Sequence, residues 1–186
     1  PARVASIQRN SLSLLCEHGS FETHPPRSAE PLSARFAVGD WLLIERAARC
    51  VLRRLEPYSC IERAAAGRKS QSQLIAANVD TLLIATSCND DFNLSRLERY
   101  LALAYESRVA PLVVLTKADL VDESSRFIAA VNEIAPLVPV IALNALDHTS
   151  ATALTPWLGA GQTVALVGSS GVGKSTLTNT LCMRAE

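Results

Sequence analysis

The chain has 186 residues, 48% hydrophobic and 19% charged, which is enough apolar material for one substantial core or two small ones and too much for a disordered ground state. No run approaches the roughly 18 apolar residues of a membrane helix, and the opening PARVASIQRN lacks the apolar centre of a signal peptide, so no membrane partner is expected and the cytoplasm is the expected compartment. Net charge is zero, yet residues 1–70 carry 11 Lys+Arg against 7 Asp+Glu and residues 71–186 carry 7 against 11, so the two parts are expected to meet different partners.

In chain order, ARVASIQ, a break at Arg9-Asn10 and SLSLLCE predict an antiparallel hairpin. HGSFETHPPRSAEP has no periodicity and reads as an exposed loop. RFAVGDWLLIE, turning at Gly39-Asp40, and ARCVLRRLEP supply further strands, so four or five short strands in the first 60 or so residues predict a small β-barrel. The stretch AAAGRKSQSQ, rich in small and polar residues, reads as a linker. The division expected is residues 1–66 as the barrel, 67–73 as the linker and 74–186 as a second domain.

Beyond the linker, TLLIATS (81–87), PLVVLTK (111–117), VPVIALN (138–144) and QTVALVG (162–168) are near-continuous apolar runs, as parallel strands covered on both faces require. NLSRLERYLALAYES places Leu94, Leu97, Leu101 and Ala104 at helical spacing, with Asp90 or Asp91 available to cap it. DESSRFIAAVNEIAPL does the same with Phe127, Ile128, Val131 and Ile134. Alternating strand and helix predict an α/β domain on a parallel, doubly wound sheet, its ligand beyond the carboxyl ends of the strands.

Three motifs fall at those ends. Gly168, Ser169, Ser170, Gly171, Val172, Gly173, Lys174, Ser175 and Thr176 satisfy GxxxxGK[ST], between an apolar strand and a helical stretch. The glycines let backbone N–H groups face phosphates, Lys174 would neutralise the β- and γ-phosphate oxygens, and the Ser175 hydroxyl would ligate Mg²⁺. The competing reading is a glycine-rich turn with no ligand. Thr116-Lys117-Ala118-Asp119 ends the strand PLVVL: the Asp119 carboxylate can accept from guanine N1–H and the 2-amino group, and the Lys117 stem can lie over the base. Asn144-Ala145-Leu146 ends the next strand, where a small residue lets a backbone N–H approach guanine O6. Thr116, Lys117, Asp119, Asn144, Ala145 and Leu146 are thus the expected guanine-binding residues.

In ordinary GTPases the P-loop comes first, then the switches, NKxD and SA(L/K); here TKAD and NAL precede the P-loop, an order that resembles the circularly permuted GTPases. Residues 74–104, LIAANVDTLLIATSCNDDFNLSRLERYLALA, and the preceding RVASIQ and VGDWLLIE resemble the ribosome small subunit-dependent GTPase A family. That resemblance implies an OB-fold barrel followed by a permuted P-loop GTPase domain, hydrolysis of GTP to GDP stimulated by the small ribosomal subunit, and a role in late assembly of that subunit. It also implies ribosomal RNA as the partner of the barrel, a zinc-binding domain after the GTPase domain, and a monomer. Thr116 stands where the family has Asn and Asn144 where it has Ser. No switch threonine, DxxG or zinc-ligand cluster follows Lys174, so the catalytic residue is unassigned and those parts are expected either to lie beyond Glu186 or to be missing. With Met183 the sole methionine, the natural protein is expected to be longer.

Arg3, Arg9, Arg35, Arg46, Arg49, Arg53, Arg54, Arg63, Arg68 and Lys69 make the first part basic, with Phe36, Trp41 and Tyr58 as candidate stacking aromatics. The competing reading is a solvated surface with Trp41 in the core. The five cysteines are scattered without metal-ligand spacing and read as reduced thiols, and the isolated His18, His24 and His148 are assigned no role. A nucleotide- and RNA-binding module without turnover, and a P-loop ATPase or kinase, are the alternative functions.

Overall fold

The computed structural model describes residues 1–26, 28, 30–45, 47–64 and 72–182. It forms two compact units, Pro1–Val79 and Asp80–Glu186.

The first unit is built on an antiparallel five-stranded sheet of β1 (Ala2–Ile7), β2 (Leu12–Cys16), β3 (Gly19–Thr23), β4 (Trp41–Glu45) and β5 (Cys50–Arg54), in the order β3-β2-β1-β4-β5. Alternation sets the faces. Ala2 and Val4 of β1 and Leu12 and Leu14 of β2 are buried, joined by Leu42 of β4 and by Leu32 and Phe36 at the two ends of the short helix α1 (Leu32–Arg35). Leu15, one residue out of phase, is half exposed. The two outer strands approach where the Thr23 hydroxyl donates to the Arg49 carbonyl (2.6 Å), as a curled, barrel-like sheet requires. Gly39 (φ 93°) lies so close to the Ala77 carbonyl that a side chain would collide with it. The next residue, Asp40, is wholly buried; its Oδ2 accepts from the Ala37 N–H (2.7 Å) and pairs with Arg54 Nε (2.7 Å).

The sequence reading differs from the structure at three places here. The stretch expected as an exposed loop begins with β3, because Phe21 and Thr23 turn inward while Ser20 and Glu22 stay in water, a two-residue period too short to stand out. Phe36 is a core residue rather than a stacking platform. The linker expected at 67–73 lies mostly outside the described residues. At its end, β7 (Ser72–Ala77) pairs antiparallel with β6 (Cys60–Ala64), which keeps residues up to Val79 with the first unit rather than starting the second at 74.

In the second unit β8 (Thr81–Ser87), β9 (Ala110–Thr116), β10 (Val140–Ala142) and β11 (Val164–Gly168) form a parallel sheet in the order β10-β9-β8-β11. The central pair, β8 and β9, is buried along nearly its whole length, as the unbroken apolar runs demand. Leu83, Leu112, Val114, Leu143, Leu154 and Leu177 pack on one face, and the alternating Leu82, Ile84, Val113 and Leu115 take the other. Helices α2 (Leu94–Glu106) and α3 (Ser125–Ile134) bury Leu97, Leu101, Ala104, Phe127 and Val131, and the short α4 (His148–Ala151) buries Ala151. The cap of α2 is Asn93, whose side chain accepts from the Arg96 N–H (2.8 Å), rather than Asp90 or Asp91. All four strands run in one direction, so their carboxyl ends share one edge. Among the described residues no helix is long and apolar enough to cross a membrane.

Candidate nucleotide-binding site

The P-loop joins the end of β11 to α5 (Lys174–Cys182). Gly168 adopts φ 149° and presses against the backbone of β8; a Cβ there would strike the Ala85 carbonyl oxygen, so only glycine lets the loop leave the sheet at this point. Gly171 (φ 77°) and Gly173 (φ 93°) carry the chain through two more left-handed turns, and fully buried Val172 pins the loop between them. The first N–H groups of α5 have no intrahelical acceptor, and the helix dipole adds positive potential where they point. Lys174 Nζ donates to the carbonyls of Gly168 (2.9 Å) and Ser169 (2.6 Å), which holds the ammonium over the loop. The Ser175 side chain is exposed in the first turn of the helix.

Beside the loop, Thr116, Lys117, Asp119, Leu120, Asn144, Ala145, Leu146, Gly173 and Thr176 line a cleft of about 220 Å³. Every residue expected to read guanine is therefore in one place, brought there by the ends of β9 and β10. Lys117 takes the left-handed conformation (φ 56°, ψ 31°), and the following 3₁₀ turn, Ala118–Leu120, presents Asp119 to solvent. Leu120 and Leu146 are 71% and 74% exposed, which gives the cleft apolar rims suited to a flat ring. The Asn144 side chain accepts from the Leu146 N–H (2.9 Å), and the Asn144 N–H donates to Ser150 Oγ (3.1 Å), so the second loop is held from both sides.

Two residues have positions beyond those expected of them. Thr116 is fully buried, and its hydroxyl lies 2.6 Å from the Val172 carbonyl and 3.2 Å from that of Thr86. Its polar group is committed to tying β9 to the P-loop, which leaves Lys117 and Asp119 to face the cleft. Thr176, expected at the phosphates, also borders the cleft. The residue that sequence reasoning missed is Thr180, buried on α5, whose hydroxyl donates to the Ala145 carbonyl (2.7 Å). No motif covers it; only its position six residues after Lys174, on the helix face turned toward the second loop, could have signalled it.

Three larger clefts lie in the first unit, two of them above 600 Å³. One, of about 610 Å³, is lined by Arg3, Leu15, Phe21, Trp41, Ile44 and Arg49 among others. In it the Arg3 guanidinium sits 5.5 Å from the Trp41 ring centroid and that of Arg49 5.8 Å from Phe21. Trp41 is 39% exposed, so it belongs to this surface rather than to the core. The other, of about 670 Å³, has Arg9, His24 and Arg35 on its walls together with Glu30. Among the described residues no group of His, Cys, Asp and Glu side chains could hold a metal ion.

A parallel sheet carrying a P-loop at the end of its edge strand, with the Thr116–Asp119 and Asn144–Leu146 loops supplied by strands that precede it in sequence, defines a P-loop protein of circularly permuted GTPase topology. Two solved structures share that fold: YjeQ from Thermotoga maritima (TM-score 0.72, 21% identity, 97% of this chain and 64% of that one) and YloQ, a circularly permuted GTPase (TM-score 0.66, 21% identity, 96% and 62%). Residues 55–186 match the family model of the RsgA GTPase. The chain is 46% identical over 186 residues to the small ribosomal subunit biogenesis GTPase RsgA of Mesorhizobium japonicum, covering 53% of that protein. It is 49% identical over 179 residues to RsgA 2 of Vibrio vulnificus, covering 50%. The chain belongs to the RsgA GTPase family, and it spans about half the length of the curated relatives it matches.

Proposed function

We propose that this chain is the nucleotide- and RNA-binding part of an enzyme that hydrolyses GTP to GDP and phosphate, is stimulated by the small ribosomal subunit and acts in that subunit's late assembly. The observation that carries the nucleotide assignment is the convergence of the P-loop, Lys117-Asp119 and Asn144–Leu146 on one cleft. In this reading the N–H groups of Gly168–Ser175 and the Lys174 ammonium hold the phosphates, because fixed dipoles and a fixed charge need no reorganisation when the anion arrives. Asp119 accepts two hydrogen bonds from the guanine edge, the Ala145 N–H donates to O6, and Leu146 and the Lys117 stem cover the ring.

Ser175, exposed at the start of α5, fits Mg²⁺ as a single hydroxyl ligand beside the phosphate oxygens; the ion would neutralise phosphate charge. The described residues do not fit zinc, so no step is assigned to it in this part of the protein. The cleft of Arg3, Phe21, Trp41 and Arg49 suits single-stranded RNA, since stacked rings and guanidinium groups can take up bases and phosphates in turn. A monomer working in the cytoplasm completes the proposal.

Single-turnover hydrolysis by the complete protein, with and without small subunits, tests it. Stimulation by the subunit is expected. Hydrolysis that ignores the subunit would remove the subunit as its activator, and no hydrolysis at all would leave a binding module without turnover.

A further inference from the structure

We infer that Thr180 is a specificity-determining positioning residue: its hydroxyl sets the distance between the P-loop helix and the backbone that reads guanine O6. The inference rests on the guanine-site reading above. Thr180 is 6% exposed and Ala145 5%, so the hydrogen bond between the Thr180 hydroxyl and the Ala145 carbonyl (2.7 Å) is shielded from water. The Ala145 N–H, by contrast, bonds to no other described residue and remains free to donate to a ligand.

The geometry around Ala145 makes this one bond decisive. On its N-terminal side the loop is fixed by the Asn144 N–H on Ser150 Oγ, and on its C-terminal side by the Leu146 N–H on Asn144 Oδ1. Both of these ties are internal to residues 144–150, so they preserve the loop's shape without placing it against the phosphate site. The Thr180 bond does place it, because Thr180 belongs to the same helix whose first residue is Lys174. On the same side, a Cβ built on Gly173 would meet Ala145 Cβ at an ordinary contact distance of 3.8 Å, so loop and P-loop are separated by little more than the width of one methyl group and a shift of the loop alters the cleft. The Thr116 hydroxyl makes the matching tie for the first base loop, through the Val172 carbonyl. Two buried hydroxyls thereby set the base-reading loops against the phosphate-binding loop, one for each.

A cycle in which protein and ligand are both varied tests the role, with the full chain and with affinities read by calorimetry. The ligands are GDP and the diphosphate of 2-aminopurine riboside, which has the 2-amino group but lacks O6 and with it the N1–H. Thr180→Val, of the same shape, should weaken GDP by about threefold to tenfold, the range of one hydrogen bond, and leave the 2-aminopurine ligand unaffected. Thr180→Ser should restore wild-type affinity. Should the valine variant fail to fold, judged by thermal unfolding, Thr180→Ala carries the same comparison. Equal weakening of both ligands, or of neither, would overturn the positioning role. A wild-type chain that binds GDP no better than ADP would instead remove the guanine-site reading, and the inference with it.

Discussion

The Lys174 ammonium is held over the P-loop by bonds to the carbonyls of Gly168 and Ser169, and in the proposed function these exchange for phosphate oxygens. Lys174→Ala therefore removes a charge-assisted contact worth about 2–3 kcal/mol, so GDP affinity should fall at least about thirtyfold in a calorimetric titration. Asp119→Asn exchanges an acceptor for a donor at the guanine edge. Preference should move from guanine to xanthine nucleotides, and an undiminished guanine preference would remove Asp119 from the site. The cysteines follow their surroundings. Burial pushes the Cys88 thiol up from its ordinary pKa, against a smaller lowering by Arg126, and burial does the same for Cys60, aided by Glu62. A raised thiol pKa means less thiolate at neutral pH, so Cys88 and Cys60 should label later than exposed Cys182 with a thiol reagent, and raising the pH should accelerate all of them.

At the scale of elements, the buried Asp40 does for the first unit what the glycines do for the second: it fixes a turn where the strands cannot. Its carboxylate holds the Ala37 N–H and pairs with Arg54 of β5. Asp40→Ala should cost about 2–3 kcal/mol, seen as a lowered thermal midpoint of the first unit with GDP affinity unchanged. The elements also show what a sequence exposes. The strands of the second unit were legible because parallel strands buried on both faces are apolar end to end, and the P-loop because its backbone requires glycines at fixed positions. β3 was not, because only Phe21 and Thr23 mark its inward face. Asn93 was overlooked as a cap in favour of the more acidic Asp90 and Asp91, although a neutral amide accepts as well at a helix start. The three motifs identified the cleft, but the ties between them, Thr116 to Val172 and Thr180 to Ala145, depend on tertiary contacts that no spacing encodes.

For the whole molecule, the proposed function gives the two oppositely charged parts different ligands, so the RNA binding proposed for the first unit is to be measured separately from nucleotide binding. The Arg3 guanidinium also reaches the carbonyls of Gly39 (3.2 Å) and Asn78 (3.3 Å), so removing it would disturb the fold and blur any effect on RNA. Trp41 and Arg49 are cleaner probes, because the first is partly exposed and both line the same cleft. Their effects should differ in kind. Trp41→Ala removes a stacking surface and no charge, so it should weaken a single-stranded RNA by about 1–3 kcal/mol while leaving the salt dependence of binding unaltered. Arg49→Ala removes a cation that can meet a phosphate, so the slope of log affinity against log salt should become shallower by about 0.7. Fluorescence anisotropy at several salt concentrations reads both quantities, and GDP affinity, measured in parallel, should not move. A tryptophan variant that changes only the slope, or an arginine variant that leaves it untouched, would mean that RNA tracks a different face of the sheet, for which the Arg9, His24 and Arg35 cleft is the next to test.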